Sequence, residues 1–478
     1  MPLHSYKLTA PLFEVLTEKD VEKTHQAIMW VLEEVGVDFP HEEAKRLFKD
    51  AGANVEGDRV RMPKEMVMDI LSQAPSRVTL YTREGEPAME IGGYEVHFGT
   101  YGTAPYAYDP YTGERSLATR KTIADAAKVC DYLPHLEWSM PMGVPSDVPV
   151  EVADRHQFYQ AVINHTKTLY SSTYTAEGLV DVIEMAAVIA GGKEELRKKP
   201  FFTTGINPSS PLRYGNEVIS KLLVMAEAGL PIIYNSCPMC SGTSPATMAG
   251  TIVTTVVEGI AGAILAQLKN PGVPVIPGGG PSPMDMRTTV VGLGTPELGL
   301  MVAGCAQMFR YYNIPSYGTA GATNAKIADS QAAIESTNSI LITALAGSNL
   351  VHCLGAVDAC MTVALDAFIL VDEIVAMTRR IAGGVEVSDE TLAIDLIKKI
   401  GPGGHFLEER HTLQHFREHH QSKLIDRQNY DGWVMTGAKT MNDLMTEKVH
   451  WILENHQPTP LPDNVQSDLE FMMVQFAP

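Results

Sequence analysis

Eight short apolar runs, spaced about 25 to 45 residues apart, each pass into a loop of glycine, hydroxyl and aromatic residues. They are Tyr94–Thr100, Glu137–Gly143, Thr168–Tyr174, Phe201–Asn207, Pro231–Cys237, Pro274–Gly280, Ile314–Ala320 and Leu350–Ala356. A helical pattern follows each run before the next begins. Eight strand–helix units in series are the signature of a (β/α)8 TIM barrel, an α/β fold. In that fold the loops after the strands carry the chemistry. A doubly wound open sheet is the alternative, but it calls for a Gly-rich nucleotide fingerprint after its first strand. Here Gly99 and Gly102 run into Thr103, Ala104 and Pro105.

The chain has 478 residues, more than the roughly 250 of a bare barrel. The pattern divides it into an N-terminal α+β accessory region (1–93), the barrel (94–384) and a mainly helical C-terminal extension (385–478). In the first part, Thr17 or Asp20 is placed to cap a helix ending at Gly36. His41–Asp50 and Pro63–Gln73 read as further helices, and Val78–Thr82 and Met89–Ile91 as strands around a Glu84–Gly85 turn. Within the barrel, Thr295 and Asp329 are expected helix caps, and Gly383–Gly384 closes the eighth helix.

A formal charge of −20 argues against nucleic acid or an anionic membrane as partner, since both call for basic patches. The start of the chain lacks the pattern of a signal peptide. The most apolar window, 249–268, carries Glu258 and reads as a buried barrel helix. Six scattered cysteines without a framework spacing suit a reducing cytosol, so a cytoplasmic location is expected.

The strand ends are rich in rings and open space. Tyr101, Tyr106 and Tyr174 form a candidate cage for a quaternary ammonium, with Tyr317 as a further ring. Ring faces attract such a cation by roughly 0.5–2 kcal/mol each. Tyr234 and Phe98 read as packed interior. His352, with Asp358 after it, reads as an orienting pair or a carboxylate ligand, although a satisfied core histidine is equally expected. Gly102, Gly278, Gly279, Gly280, Gly318 and Gly321 read as clearance over the mouth. No Lys–Ser/Thr follows Gly278–Gly280, which argues against a phosphate loop. Cys237 and Cys240 lack a second ligand pair for zinc. His411, His415 and His419 share a helix face but sit among Arg410, Arg417 and Glu418, so they read as a solvated or docking helix.

Much common chemistry is missing. The strand ends show no Schiff-base lysine apart from the distant Lys326. They show no H-E-x-x-H, no G-x-S-x-G elbow and no paired acids for glycoside hydrolysis.

FGTYGTAPYAYDPYTGERSL (98–117), LDAFILVDEIVAMTRRI (365–381) and GPGGHFLEERHTLQHFRE (401–418) resemble the trimethylamine methyltransferase superfamily. With the strand order, the resemblance covers nearly the whole chain. It implies a barrel that moves a methyl group from an amine to the Co(I) of a corrinoid (cobalamin) carried by a partner protein. Founding members carry pyrrolysine at the barrel mouth; this chain has standard residues throughout, and Gly318–Lys326 is the expected equivalent region. Because a quaternary amine already leaves as a neutral tertiary amine, it needs orientation more than activation. Members without pyrrolysine act on glycine betaine, proline betaine or carnitine. The expected substrate is therefore a quaternary amine, glycine betaine first.

On that reading no side chain is a nucleophile. Catalysis is positioning by His352 and His97, with Asp358 behind them, and Tyr101, Tyr106, Tyr174, Tyr317 and His352 bind substrate. Corrinoid proteins of this kind use D-x-H-x-x-G, whereas Asp154–Arg155–His156 lacks the glycine. No metal and no tightly bound cofactor are expected in this chain, and self-association is. The rival readings are a metal-assisted barrel lyase or hydrolase, and a non-catalytic betaine-binding or corrinoid-protein-docking protein.

Overall fold

The computed structural model describes residues 13–476. One parallel sheet contains β1 (His97–Phe98), β2 (Trp138–Ser139), β3 (Thr168–Ser171), β4 (Phe202–Ile206), β5 (Ile232–Ser236), β6 (Val275–Gly279), β7 (Tyr317–Thr319) and β8 (Leu350–His352). Each strand lies inside one of the eight runs. Neighbours pair in chain order, β8 pairs with β1, and a parallel bridge from Gly99 to Trp138 closes the ring. The arrangement is a (β/α)8 barrel.

Alternation along the strands sorts side chains into two shells. Leu169 packs outward among helix residues, while Tyr170 joins Trp138, Ile233, Ile276, Tyr317 and Leu350 inside the barrel. The outer helices are α1 (Arg120–Tyr132), α2 (Ala153–Ile163), α3 (Ala176–Ala190), α4 (Asn216–Ala228), α5 (Met248–Lys269), α6 (Pro296–Tyr311), α7 (Ser330–Leu345) and α8 (Leu365–Ala382). Asp329 caps α7 by accepting from the amides of Gln331 and Ala332. Thr295 instead turns its hydroxyl to the Gly292 carbonyl, and Pro296 opens α6 alone. By length and composition α5 alone among the described helices could cross a membrane. Here it is a wall of the barrel, and its Glu258 is fully buried and bonded to Ser210, Ser236 and the Leu212 amide.

The N-terminal region shares its core with the barrel: Ile28, Phe39, Phe48 and Leu71 belong to one cluster with Ile260 and Phe309. Thr17 and Asp20 form a reciprocal capping box at its first helix, Glu18–Trp30. The hairpin Val78–Tyr81/Pro87–Ile91 has a separate task. Val78, Leu80, Met89 and Ile91 pack against the barrel-interior residues and stopper its N-terminal end.

Beyond the barrel, helix Met441–Asn455 packs Met445, Val449 and Ile452 against α8 and α1. Helix Asp463–Gln475 lies on α3 and α2. Between α8 and Met441, the short helices Asp389–Leu392, Ile394–Ile400, Arg410–His415 and Tyr430–Met435 bury none of their own residues. The helix carrying His411 and His415 ends before His419, and His415 bonds Glu418 at 2.6 Å.

Candidate active site at the barrel mouth

A cavity of about 450 Å3 opens at the C-terminal ends of the strands. Tyr101 follows β1, Met140 follows β2, Tyr170 lies in β3, Asn207 follows β4 and Asn235 lies in β5. Thr319 and His352 close the circle from β7 and β8. Beneath them the rings form a layer: Tyr317 stacks on His352 at 4.4 Å and on Tyr170 at 6.2 Å, and Trp138 lies 6.2 Å from Tyr170. Such pairs contribute about 0.5–1.5 kcal/mol each beyond their buried area.

No side chain lining the cavity is an acid, a lysine or an arginine. His352, Cys237, Cys353, Tyr101 and Tyr170 are held neutral. Burial lowers the His352 pKa to about 4. Its Nδ1 is 2.8 Å from the Gly318 carbonyl, which fixes the proton there. Desolvation raises the phenols of Tyr101 and Tyr170 and, although Cys237 stands exposed at the rim, raises its thiol to about 11. The Cys360 thiol, 4.0 Å away, and then burial raise Cys353. The Tyr101 hydroxyl donates to the Cys360 carbonyl, tying the loop after β1 to the loop after β8. The cavity is therefore lined by uncharged rings, sulfur, amides and hydroxyls.

Of the residues singled out from sequence, Tyr101, His352, Gly102 and Gly280 line this cavity, and Tyr317 lies just below it. Others lie elsewhere. Tyr106 belongs to a four-stranded sheet over the mouth, formed by Tyr106–Tyr108, Arg115–Leu117, Thr362–Val363 and Ala356–Val357. Its ring already carries the Arg115 guanidinium at 3.8 Å. Tyr174 lies past the end of β3, 37% exposed, and its amide donates to Asp154. His97 starts β1 at the opposite end of the barrel, bonded to Glu137 at 3.0 Å and to the Glu90 carbonyl of the hairpin. It cannot meet a ligand at the mouth. Asp358 pairs with Lys326 at 2.9 Å and Arg115 at 3.2 Å, away from His352. Neutral His352 likewise offers no cation to a carboxylate.

Most of the glycines serve the strands rather than the opening. A Cβ on Gly278 or Gly279 would come within 1.7 Å of a neighbouring carbonyl oxygen, Tyr317 or Ser236 respectively. At Gly318 it would meet the Ser348 hydroxyl at 2.4 Å, and Gly321, at φ +74°, is packed against Leu354. Only Gly102 and Gly280 of that set face the cavity. Cys237 and Cys240 diverge, since Cys240 turns to the Thr251 hydroxyl while Cys237 faces the mouth. Among the described residues no group of three or more His, Cys, Asp or Glu is placed to hold a metal.

Tyr170, Asn207, Asn235 and Cys360 were not singled out from sequence, and Cys237 was weighed there only as half of a zinc pair. The first three carry a usable signal: with Leu169 and Ile206 outward, strict alternation turns Tyr170, Asn207 and Asn235 inward at the strand tops.

Residues 3–475 match the family described as trimethylamine methyltransferase (MTTB). This chain belongs to that family. A trimethylamine methyltransferase of Desulfitobacterium hafniense is 34% identical over 95% of this chain and 92% of the relative. A glycine betaine methyltransferase of the same species is 34% identical, covering 97% of both chains. Among solved structures, a hydroxylamine complex of MtmB covers 92% of this chain and 88% of its own at a TM-score of 0.55 and 14% identity. The monomethylamine methyltransferase of Methanosarcina barkeri matches at a TM-score of 0.50 and 12% identity. These two likenesses concern the fold. The MTTB membership and the barrel agree with the resemblance carried by the sequence motifs.

In this MTTB chain the loop after β7 is made of standard residues, and its one lysine, Lys326, is paired with Asp358. Ala320, Gly321 and Ala322 are buried, and the Glu335 carboxylate accepts from the Thr323 hydroxyl and the Asn324 amide. Nothing electrophilic stands there.

Proposed function

We propose that this MTTB-family protein takes a methyl group from a quaternary amine, glycine betaine first, and passes it to a corrinoid carried by a partner protein. The observation that carries this reading is the uncharged, ring-floored cavity at the barrel mouth. A quaternary ammonium is drawn to ring faces and polarisable sulfur and forms no hydrogen bonds, so a seat without acids suits it. The volume suits a small amine better than a corrin macrocycle, which supports a corrinoid that approaches over the opening. When docked, the corrinoid supplies Co(I), the nucleophile that takes the methyl group as the C–N bonding pair returns to nitrogen.

The chain's own contribution is orientation. Tyr101 and Tyr170 flank the ammonium, while His352, held in one tautomer, and Tyr317 support it from below. The rigid floor keeps one N-methyl group directed at the opening, so positioning lowers the barrier. No proton needs to move, which agrees with a site whose histidine and phenols are neutral. Six free cysteines support a reducing, cytoplasmic setting. Apolar residues exposed on the 385–440 segment, Leu407 and Met435 at 82% each, support self-association.

The test is to mix the protein with a reduced corrinoid protein and a panel of methylated amines, following the cobalt spectrum. Methylation is expected from glycine betaine or another quaternary amine. Methylation from trimethylamine alone would overturn the reading.

A further inference from the structure

The cavity has two unlike sides. His352, Cys353, Cys360, Tyr101 and Met140 come from β8, β1 and β2 and offer rings and sulfur. Across from them, the ends of β3, β4 and β5 add Tyr170, Cys237 and Met239 and supply the side-chain amides of the cavity, Asn207 and Asn235, with the Ser172 hydroxyl. A zwitterionic betaine has matching halves, an ammonium and a carboxylate. No cation lines the cavity, so its carboxylate must be taken up by neutral donors.

Elimination narrows those donors. The Thr319 hydroxyl faces His352, and Ser282 donates to the Gly280 carbonyl. Tyr101 donates to the Cys360 carbonyl, and Thr243, which accepts from the Met239 amide, keeps one hydroxyl hydrogen where each amide side chain offers two. The exposed Asn207 side chain has no hydrogen bond among the described residues. The Asn235 side chain has one: the Cys237 thiol donates to its Oδ1 at 3.2 Å. A thiol that donates to the amide oxygen leaves both Nδ2 hydrogens of Asn235 for the cavity.

Register places the two amides together. Ile206 pairs with Tyr234 across β4 and β5, so Asn207 and Asn235 are the next pair up, on strands about 4.8 Å apart. The residue registered beside Asn235 on the other side is Gly278, which adds no side chain. Ser171 pairs with Thr204, so Ser172 stands beside Gly205, one layer below Asn207.

We infer that Asn207 and Asn235 are the carboxylate clamp of this site, with Cys237 as the positioning residue that orients Asn235. The inference rests on the quaternary-amine reading and extends it from a cation seat to a zwitterion seat. The ammonium lies toward Tyr101 and His352, and the carboxylate lies toward β4 and β5. Ser172 adds a third, deeper donor.

Binding of glycine betaine and of choline, which has a hydroxymethyl group in place of the carboxylate, separates the two ends. Calorimetry on the full-length protein without corrinoid partner is the readout, with thermal melting as the folding control. Asn207→Ala and Asn235→Ala are each expected to weaken glycine betaine by about 10- to 100-fold while leaving choline nearly unchanged. Asn235→Asp is expected to reverse the preference, repelling the carboxylate and favouring choline. Cys237→Ala is expected to give a smaller, betaine-selective loss that Cys237→Ser restores, since a hydroxyl can donate to the same oxygen. Equal losses for both ligands, no loss for either, or a wild-type protein that binds betaine no tighter than choline would overturn the clamp. Methyl transfer to a corrinoid protein is scored separately. Its failure with every quaternary amine removes the functional reading even where the clamp's binding pattern is found.

Discussion

The two ends of this barrel are built on opposite electrostatic plans. At the N-terminal end, Glu137 bonds His97 at 3.0 Å, also pairs with Arg379, and accepts from the Phe98 amide. Although burial favours the neutral acid, His97 and Arg379 hold the Glu137 carboxyl at about 2. At the C-terminal end no charged side chain lines the cavity. Charge is thus spent where the fold must be locked and withheld where a cation must be received. An acid at the mouth would add Coulomb attraction, but its own desolvation would offset much of that gain.

The sharpest way to break this comparison is at the base. Glu137→Ala leaves Arg379 and His97 without their carboxylate, and is expected to cost about 3–5 kcal/mol of stability. Thermal melting checks this, and affinity for a quaternary amine should be unaltered in the folded protein. Gly205→Ala comes next. Its Cβ would lie 1.5 Å from the Tyr170 hydroxyl, so the ring must shift. Overpacking of about 1–3 kcal/mol is expected, accompanied here by weaker ligand binding, because that ring is a wall of the cavity. Tyr101→Ala should cost only the ring's share of cation binding, about 0.5–2 kcal/mol, while Tyr101→Phe retains it. Calorimetry showing equal affinity for wild type and Tyr101→Ala would remove that ring from the seat.

The smallest effect expected is a pH response, and it too divides the ends. Glu137 has a depressed folded pKa, so its stabilisation is complete above its ordinary value of 4.5 and fades as pH falls toward about 2. For His97 burial works against the imidazolium, but Glu137 outweighs it and the pKa is raised. Its contribution is complete below 6.5 and is lost as pH rises through that raised value. Folding stability should therefore drift with pH. Ligand affinity should stay flat across the neutral range, which lies well above about 4 for His352 and well below about 11 for Cys237. A titration of the dissociation constant near neutrality would contradict a neutral mouth.

The barrel was legible because each strand is a short apolar run buried on both faces, and that pattern survives in one dimension. Tyr101 and His352 were legible as mouth residues for the same reason. What misled was the exact strand end. β3 stops at Ser171, so Tyr174 lies beyond the cavity and Tyr170, two inward positions earlier, takes its place. Tyr106 was claimed by a small sheet whose partner strand, Thr362–Val363, lies far along the chain. His97 and the mouth glycines fail similarly. A strand's start is hard to tell from its end in a two-residue element, and a glycine required by a neighbouring backbone looks like one left for a ligand.

The hairpin beneath the barrel has a kinetic consequence. Because Val78, Leu80, Met89 and Ile91 stopper one end and the ring layer seals the floor, the cavity is a cul-de-sac. In the proposed reaction, the amine's only doorway is the surface on which the corrinoid protein lands. Traffic is then single file: substrate boards before the partner docks, and the demethylated amine waits for it to depart. The steady-state pattern should be that of a compulsory order, with excess corrinoid protein blocking the door.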